Sequence, residues 1–473
     1  MSQWESVAEI ANDVQSGKST AVNLVKKAHK NIENKKDYDA IISVIHDRAI
    51  ERAKAIDALV AKGKKVGKLA GVPFIAKDNF LTFGSETTAA SNILKGFEAP
   101  YQATAIERLE AEGAICVAKA NMDAFGHGAS TENSDVMVTK NPHDKARVPG
   151  GSSGGPATAV VLDMAPFALG TDTGGSNRQP ASYSGCIGYR PTYGLISRSG
   201  VVAMASSTDT IGALTRSVED LAYVLDILAG RDELDGTTIE RDEVSYSDLG
   251  TSLKGKKIGL IKEYMGEGVD ESVKKLVQKS LDELKSSGLE VTEISLPSLP
   301  LALAAYYIIV PAEISSNLSR YDGQRYGFSN SKAKTLDESF NWSRSEGFGN
   351  EAKRRIMIGT YVLSSGYYDA YYKKAQQLRT KLINEFNEAF QKFDFLAGPV
   401  APTTAFKIGE NVSNPLQMYL VDIMTVAAAL VGIPAISVPV GMSGNLPVGL
   451  QLMAPQRQDR LLLTLASKVK ELN

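Results

Sequence analysis

Two stretches of glycine and serine hold the residues best suited to attack a carbonyl. The first reads Val148-Pro-Gly-Gly-Ser-Ser-Gly-Gly-Pro156 and the second Gly170-Thr-Asp-Thr-Gly-Gly-Ser-Asn-Arg-Gln-Pro180. Glycines beside a hydroxyl permit positive φ and close backbone approach, so several N–H groups can converge on one point. A serine next to such N–H groups has what a nucleophile with an oxyanion hole requires. The segment between the loops has room for one helix and one strand, and a βαβ-like return would set the second loop beside the first. The same composition also suits flexible or phosphate-binding loops, although neither loop is followed by the Lys of a G-x-x-x-x-G-K-[ST] motif.

A lysine upstream is out of place in an equally informative way. Leu69-Ala-Gly-Val-Pro-Phe-Ile-Ala-Lys77-Asp-Asn79 reads as a buried strand ending in a cation. Burial disfavours the ammonium and draws the pKa of a lysine toward neutrality, which a general base working near pH 7 needs. The other reading is a Lys at a strand end that reaches water or pairs with Asp78.

On these residues the chain resembles the amidase signature family. Gly150-Gly-Ser-Ser-Gly-Gly155 and Asp172-Thr-Gly-Gly-Ser-Asn-Arg-Gln-Pro180 match its two loops, with Ser152 and Ser176 24 residues apart. The resemblance implies an α/β fold, a mixed twisted β-sheet covered by helices. It also implies amide hydrolysis by a Ser-Ser-Lys triad. Ser176 is then the nucleophile, Ser152 the bridging hydroxyl after a cis Gly151–Ser152 peptide, and Lys77 the base. An oxyanion hole from the backbone of Thr173, Gly174, Gly175 and Ser176 is expected, with Asp172 and Arg178 bracing the loop. A further loop, Asn121-Met-Asp-Ala-Phe-Gly-His-Gly-Ala-Ser-Thr-Glu-Asn-Ser134, also resembles the family but has His127 where Met is usual and Ala129 where Ser is usual.

The bulk composition bounds the rest. The 473 residues are 43% hydrophobic and 22% charged, as in ordinary globular proteins, and the net charge of −2 offers no strong basic field for binding nucleic acid unaided. Two cysteines, Cys116 and Cys186, preclude a disulfide framework, and both read as buried thiols. Four histidines show no paired-ligand spacing, so no metal is expected. The stretch Met1-Ser-Gln-Trp-Glu-Ser6 lacks the blocks of a signal peptide, and apolar runs such as Leu301 to Val310 fall short of the roughly 20 residues that span a bilayer. No membrane association and a cytoplasmic location are expected.

One domain over residues 1–473 is expected. Residues 1–65 form a helical outer layer, with Ser19-Thr20 capping a helix and another helix over 48–61. Residues 66–230 form the catalytic core, with helices over 103–112 and 218–229. Residues 231–473 complete the sheet and carry substrate- and partner-facing elements. Within them 256–294 reads as a βαβ unit capped by Asp270 and ended by Gly288, 367–392 as one long helix, and 435–440 and 448–453 as a strand pair before a closing helix over 460–472.

Motifs in the second half narrow the resemblance. Pro311-Ala-Glu-Ile-Ser-Ser-Asn-Leu-Ser-Arg-Tyr-Asp-Gly323, Glu351-Ala-Lys-Arg-Arg-Ile-Met-Ile-Gly-Thr-Tyr361, Ser365-Gly-Tyr-Tyr-Asp-Ala-Tyr-Tyr-Lys-Lys374 and Gly398-Pro-Val-Ala-Pro-Thr-Thr-Ala405 are similar to the A subunits of bacterial aspartyl/glutamyl-tRNA amidotransferases. That likeness implies a glutaminase working with B and C subunits, with mischarged tRNA, ATP and Mg²⁺ handled by a partner. It also implies Arg355 for the α-carboxylate of glutamine, Asp422 for its α-amine, and Tyr306 nearby. The physics agrees, since a guanidinium binds a carboxylate bidentately and a carboxylate complements an ammonium. A freestanding amidase, a non-catalytic scaffold and a direct tRNA binder stay open as alternatives.

Overall fold

The computed structural model describes residues 3–411 and 414–472; Met1, Ser2, Val412, Ser413 and Asn473, which the expected single domain includes, lie outside them. Its centre is an 11-stranded sheet of β1 (Ile41–Val44), β2 (Pro73–Lys77), β3 (Ile115–Ala120), β4 (Phe167–Asp172), β5 (Ile187–Arg190), β6 (Thr210–Thr215), β7 (Lys257–Ile261), β8 (Glu290–Ile294), β9 (Phe395–Pro399), β10 (Ala435–Ser443) and β11 (Leu446–Met453). The order is β1-β3-β2-β4-β6-β5-β10-β11-β9-β7-β8. Pairing is parallel in β3-β2-β4 and in β9-β7-β8 and antiparallel elsewhere, so the sheet is mixed.

β2, β3 and β4 are buried along their whole length, which is why they read as continuous apolar runs rather than alternating ones. Their register is pinned by Phe74 opposite Phe167, whose rings stack 5.4 Å apart. Because β2 and β4 are parallel, Lys77 and Asp172 end them at the same edge, where α/β sheets present ligands. The helix Gly154–Val161 leads from the first serine loop back to β4, and its surface, apolar but for Thr158, is buried as far as Val160. The helix Arg178–Ser184 follows the second loop directly.

Some elements differ from the sequence expectation. The outer helical layer contains the strand β1, antiparallel to β3. Residues 256–294 form the expected unit with β7 and β8 parallel, but the Asp270 side chain makes no capping bond; its N–H donates to the Pro402 carbonyl instead. The long helix expected over 367–392 starts as a π-helical turn, Asp369–Lys373, before the α-helix Lys374–Phe390. The apolar run Leu301 to Val310 belongs to a longer helical stretch, Leu299–Arg320, which is long and apolar enough to cross a membrane; half of it is buried inside the molecule. Its α-helical part, Ala302–Asn317, packs on a second helix, Asn350–Leu363. A Cβ at Gly359 would collide with the Pro311 carbonyl, so glycine there sets how closely the two approach.

Candidate active site

Lys77 ends β2 with no solvent exposure, and its Nζ lies 2.8 Å from Ser152 Oγ, 2.8 Å from Ser153 Oγ and 2.9 Å from Thr171 Oγ1. Burial lowers its pKa to about 7, against the opposing pull of the Asp123, Asp172 and Asp209 charges. A substantial neutral fraction therefore exists near neutrality. Asp78 does not pair with Lys77; it forms a buried pair with Lys119 at 3.1 Å. Ser153 Oγ has two other acceptors, Asn177 Oδ1 at 3.0 Å and the Thr171 carbonyl at 3.2 Å. Its proton is thus engaged elsewhere, which leaves Ser152 and Thr171 as the hydroxyls free to donate to a neutral amine. The Gly151–Ser152 peptide is cis, as the resemblance implies.

The second loop lies against the first, because the Ser153 N–H donates to the Ser176 carbonyl at 3.1 Å. Among the described residues no hydrogen bond joins Ser152 Oγ to Ser176 Oγ, and the N–H groups of Gly174, Gly175 and Ser176 find no acceptor. Unspent N–H groups beside a hydroxyl are what an anion-stabilising pocket offers. The loop is gripped from both sides. Thr425 Oγ1 donates to the Gly174 carbonyl at 2.6 Å, and a Cβ at Gly174 would lie 2.5 Å from Tyr306 Oη. Beneath it, Asp172 accepts from Arg178 Nε and Nη2 at 3.0 and 2.9 Å and from Arg190 Nη1 at 3.2 Å. Burial would raise the Asp172 pKa, but the two guanidiniums outweigh it and hold the carboxyl well below the usual range. Arg178 also donates to Gln451 Oε1 at 2.6 Å, tying the loop to β11.

A cavity of about 330 Å³ adjoins these loops, lined by Asp123, His127, Tyr307, Arg355 and Tyr419 among others. Arg355, on the helix Asn350–Leu363, is buried; its Nε donates to Glu351 Oε1 at 2.9 Å and its guanidinium lies over the rings of Tyr307 and Tyr419 at 5.3 and 5.6 Å. Glu351 also accepts from Tyr419 Oη, at 3.1 Å. Asp422 accepts from Tyr307 Oη at 3.1 Å, and burial pushes its pKa up to about 7, against Arg355 and Tyr307. Asp422 and Ser176 do not line the cavity themselves. Asp422 meets it through Tyr307, and Gly174 of the Ser176 loop lies against Tyr306, whose ring is 5.1 Å from that of Tyr307. Asp123 reaches the first loop directly, its N–H 3.3 Å from the Ser152 carbonyl.

The structure thus brings Lys77, Ser152 and Thr173 to Ser176 to one sheet edge, Arg355 to the wall of the adjoining cavity, and Asp422 and Tyr306 behind that wall next to Tyr307. Sequence reading missed Ser153, Thr171 and Thr425 around the loops and Tyr307, Glu351 and Tyr419 around Arg355. Ser153, Thr171 and Glu351 stand inside the quoted motifs, Glu351 one helical turn before Arg355, whereas the other three carry no local signal.

The chain matches known proteins along nearly its whole length. The family model described as Amidase matches residues 23–463. An A subunit of the glutamyl-tRNA(Gln) amidotransferase of Clostridium acetobutylicum is 49% identical over 453 residues, 95% of this chain and 95% of that protein. The corresponding protein of Thermoanaerobacter pseudethanolicus is 50% identical over 436 residues, 92% and 89% of the two chains. The crystal structure of the glutamyl-tRNA(Gln) amidotransferase A subunit from Thermotoga maritima superposes with a TM-score of 0.80 at 41% identity, covering 94% of this chain and 90% of that one. The chain belongs to the amidase family, and these relatives within it are amidotransferase A subunits.

Proposed function

We propose that this chain is the glutaminase subunit of a tRNA-dependent amidotransferase in the cytoplasm. The observation that carries the reading is a buried Lys77 with a pKa near 7, bonded to Ser152 beside the open N–H groups of the Ser176 loop. Similarity to glutamyl-tRNA(Gln) amidotransferase A subunits over nearly the whole chain supports the choice of glutamine. Arg355 holds the α-carboxylate, Asp422 the α-ammonium, and Tyr306 keeps the nucleophile loop in place.

Neutral Lys77 takes the Ser152 proton as Ser152 takes that of Ser176, and Ser176 Oγ bonds to the γ-carbonyl carbon. The backbone of Thr173 to Ser176 holds the resulting oxyanion. Its collapse breaks the carbon–nitrogen bond, the relayed proton goes to the leaving nitrogen, and ammonia departs from an acyl-ester. Water then attacks that ester by the same relay and releases glutamate. Ammonia passes to the B and C subunits, where ATP and Mg²⁺ activate the side-chain carboxyl of Glu-tRNA(Gln), or of Asp-tRNA(Asn), for amide formation.

Ser176→Ala is expected to abolish ammonia release from glutamine while sparing amidotransfer driven by added ammonium in the assembled complex. Glutaminase activity that survives this substitution overturns the assignment. A chain that hydrolyses simple amides without partners, and glutamine no better than they, is a freestanding amidase instead.

A further inference from the structure

His127 has no solvent exposure, yet neither ring nitrogen has a hydrogen-bond partner among the described residues. Its backbone is fixed, with the N–H donating to the Ala124 carbonyl at 2.9 Å and the carbonyl accepting from Asn133 Nδ2 at 2.7 Å. The ring lies 6.1 Å from that of Phe125 and forms part of the wall of the 330 Å³ cavity that Arg355 also lines. Buried polar atoms are almost always bonded, so an imidazole with two unpartnered nitrogens in the wall of a cavity is built for something the cavity receives.

The neighbours say what that is. Arg355 Nε is taken by Glu351, so two η nitrogens remain to meet an anion. A carboxylate gripped by them keeps lone pairs that need further donors. Burial first, and the Arg355 charge second, hold the His127 pKa well below its ordinary value, and a neutral imidazole supplies one N–H without adding a second cation. We infer that His127 recognises substrate: its ring N–H donates to the α-carboxylate held by Arg355, so the cavity selects amides that bear that group. The inference rests on the reading of glutamine as substrate.

Two amides and two variants test it. Glutamine and 4-aminobutanamide differ by the α-carboxylate, His127→Met keeps the volume without a donor, and His127→Gln keeps a donor. With the full chain and its partner subunits, His127→Met is expected to raise KM for glutamine about tenfold, at nearly constant kcat, and to leave KM for 4-aminobutanamide unchanged. His127→Gln is expected to recover most of the loss. An unchanged KM for glutamine, or an equal rise for both amides, overturns the inference while leaving the glutaminase reading intact. A wild-type complex that releases no ammonia from glutamine overturns both. If His127→Met does not fold, the ¹⁵N resonances of the His127 ring in Ser176→Ala decide: glutamine moves them if the contact forms, and unmoved resonances overturn it.

Discussion

The Lys77 end of the site is closed by hydrogen bonds within the protein, whereas the Arg355 end keeps polar groups open toward a cavity. At the first end Lys77 meets three hydroxyls, and Asp172 two guanidiniums, on strands whose register is set by stacked phenylalanines. At the second, Arg355 spends one nitrogen on Glu351, and His127 spends none of its ring atoms. The first arrangement fixes the base and its hydroxyl partners before substrate arrives; the second waits for the substrate to complete it. Chemistry and recognition should therefore fail differently when broken.

The largest effect is expected at Lys77. Lys77→Arg should lower kcat by at least about 10³-fold with KM nearly unchanged, because a guanidinium cannot give up its proton at these pH values. Steady-state ammonia release checks it, and appreciable turnover by the variant would remove Lys77 from the relay. Arg355→Gln should do the reverse, raising KM for glutamine by about 100-fold with kcat within a few-fold and ammonium-driven transfer unaffected. Equal losses with glutamine and ammonium would mean damaged assembly.

A pH profile sharpens the contrast. Lys77 and Asp422 both titrate near 7, and both must lose a proton to act. The kcat/KM for glutamine should therefore climb with pH below 7 with a limiting slope above one, and Asp422→Asn should reduce that slope to one. A slope of one in the wild type would show that only one of the two groups titrates there.

Stability gives the smallest signal. The folded pKa of Lys77 lies below the unfolded one, so the unfolded chain binds more protons between about pH 7 and 10.5 and stability rises with pH across that window. The penalty is fullest below pH 7, on the order of several kcal/mol before lost hydrogen bonds are counted. Lys77→Met should raise Tm by a few degrees at pH 6.5 and by less at pH 10; a fall in Tm at pH 6.5 would mean that the hydroxyl cluster stabilises more than burial costs.

How much of this was legible in the sequence follows the same division. Lys77, Ser152 and Ser176 stand in short motifs whose glycines and buried strand are local signals, the buried apolar runs mark an α/β sheet, and its mixed pairing is what the family resemblance implied. Tyr307, Tyr419 and Thr425 owe their roles to contacts more than 60 residues away in the chain, such as Tyr307 with Asp422 and Thr425 with Gly174, which no local pattern encodes. β1 escaped notice because Ile41–Val44 is short and half-buried along its length at the sheet edge. The helices Leu336–Gly347 and Asn350–Leu363 were obscured by polar residues and by glycines that serve close packing.

The helix Ala302–Asn317 carries Tyr306 against Gly174 and Tyr307 against Asp422, and consecutive residues leave a helix about 100° apart. One helix therefore bears on the nucleophile loop with one side chain and on Asp422 with the next. The close Gly359–Pro311 approach holds the helix bearing Arg355 against the same body, so the contacts at Gly174, Asp422 and Arg355 all hang on one pair of packed helices.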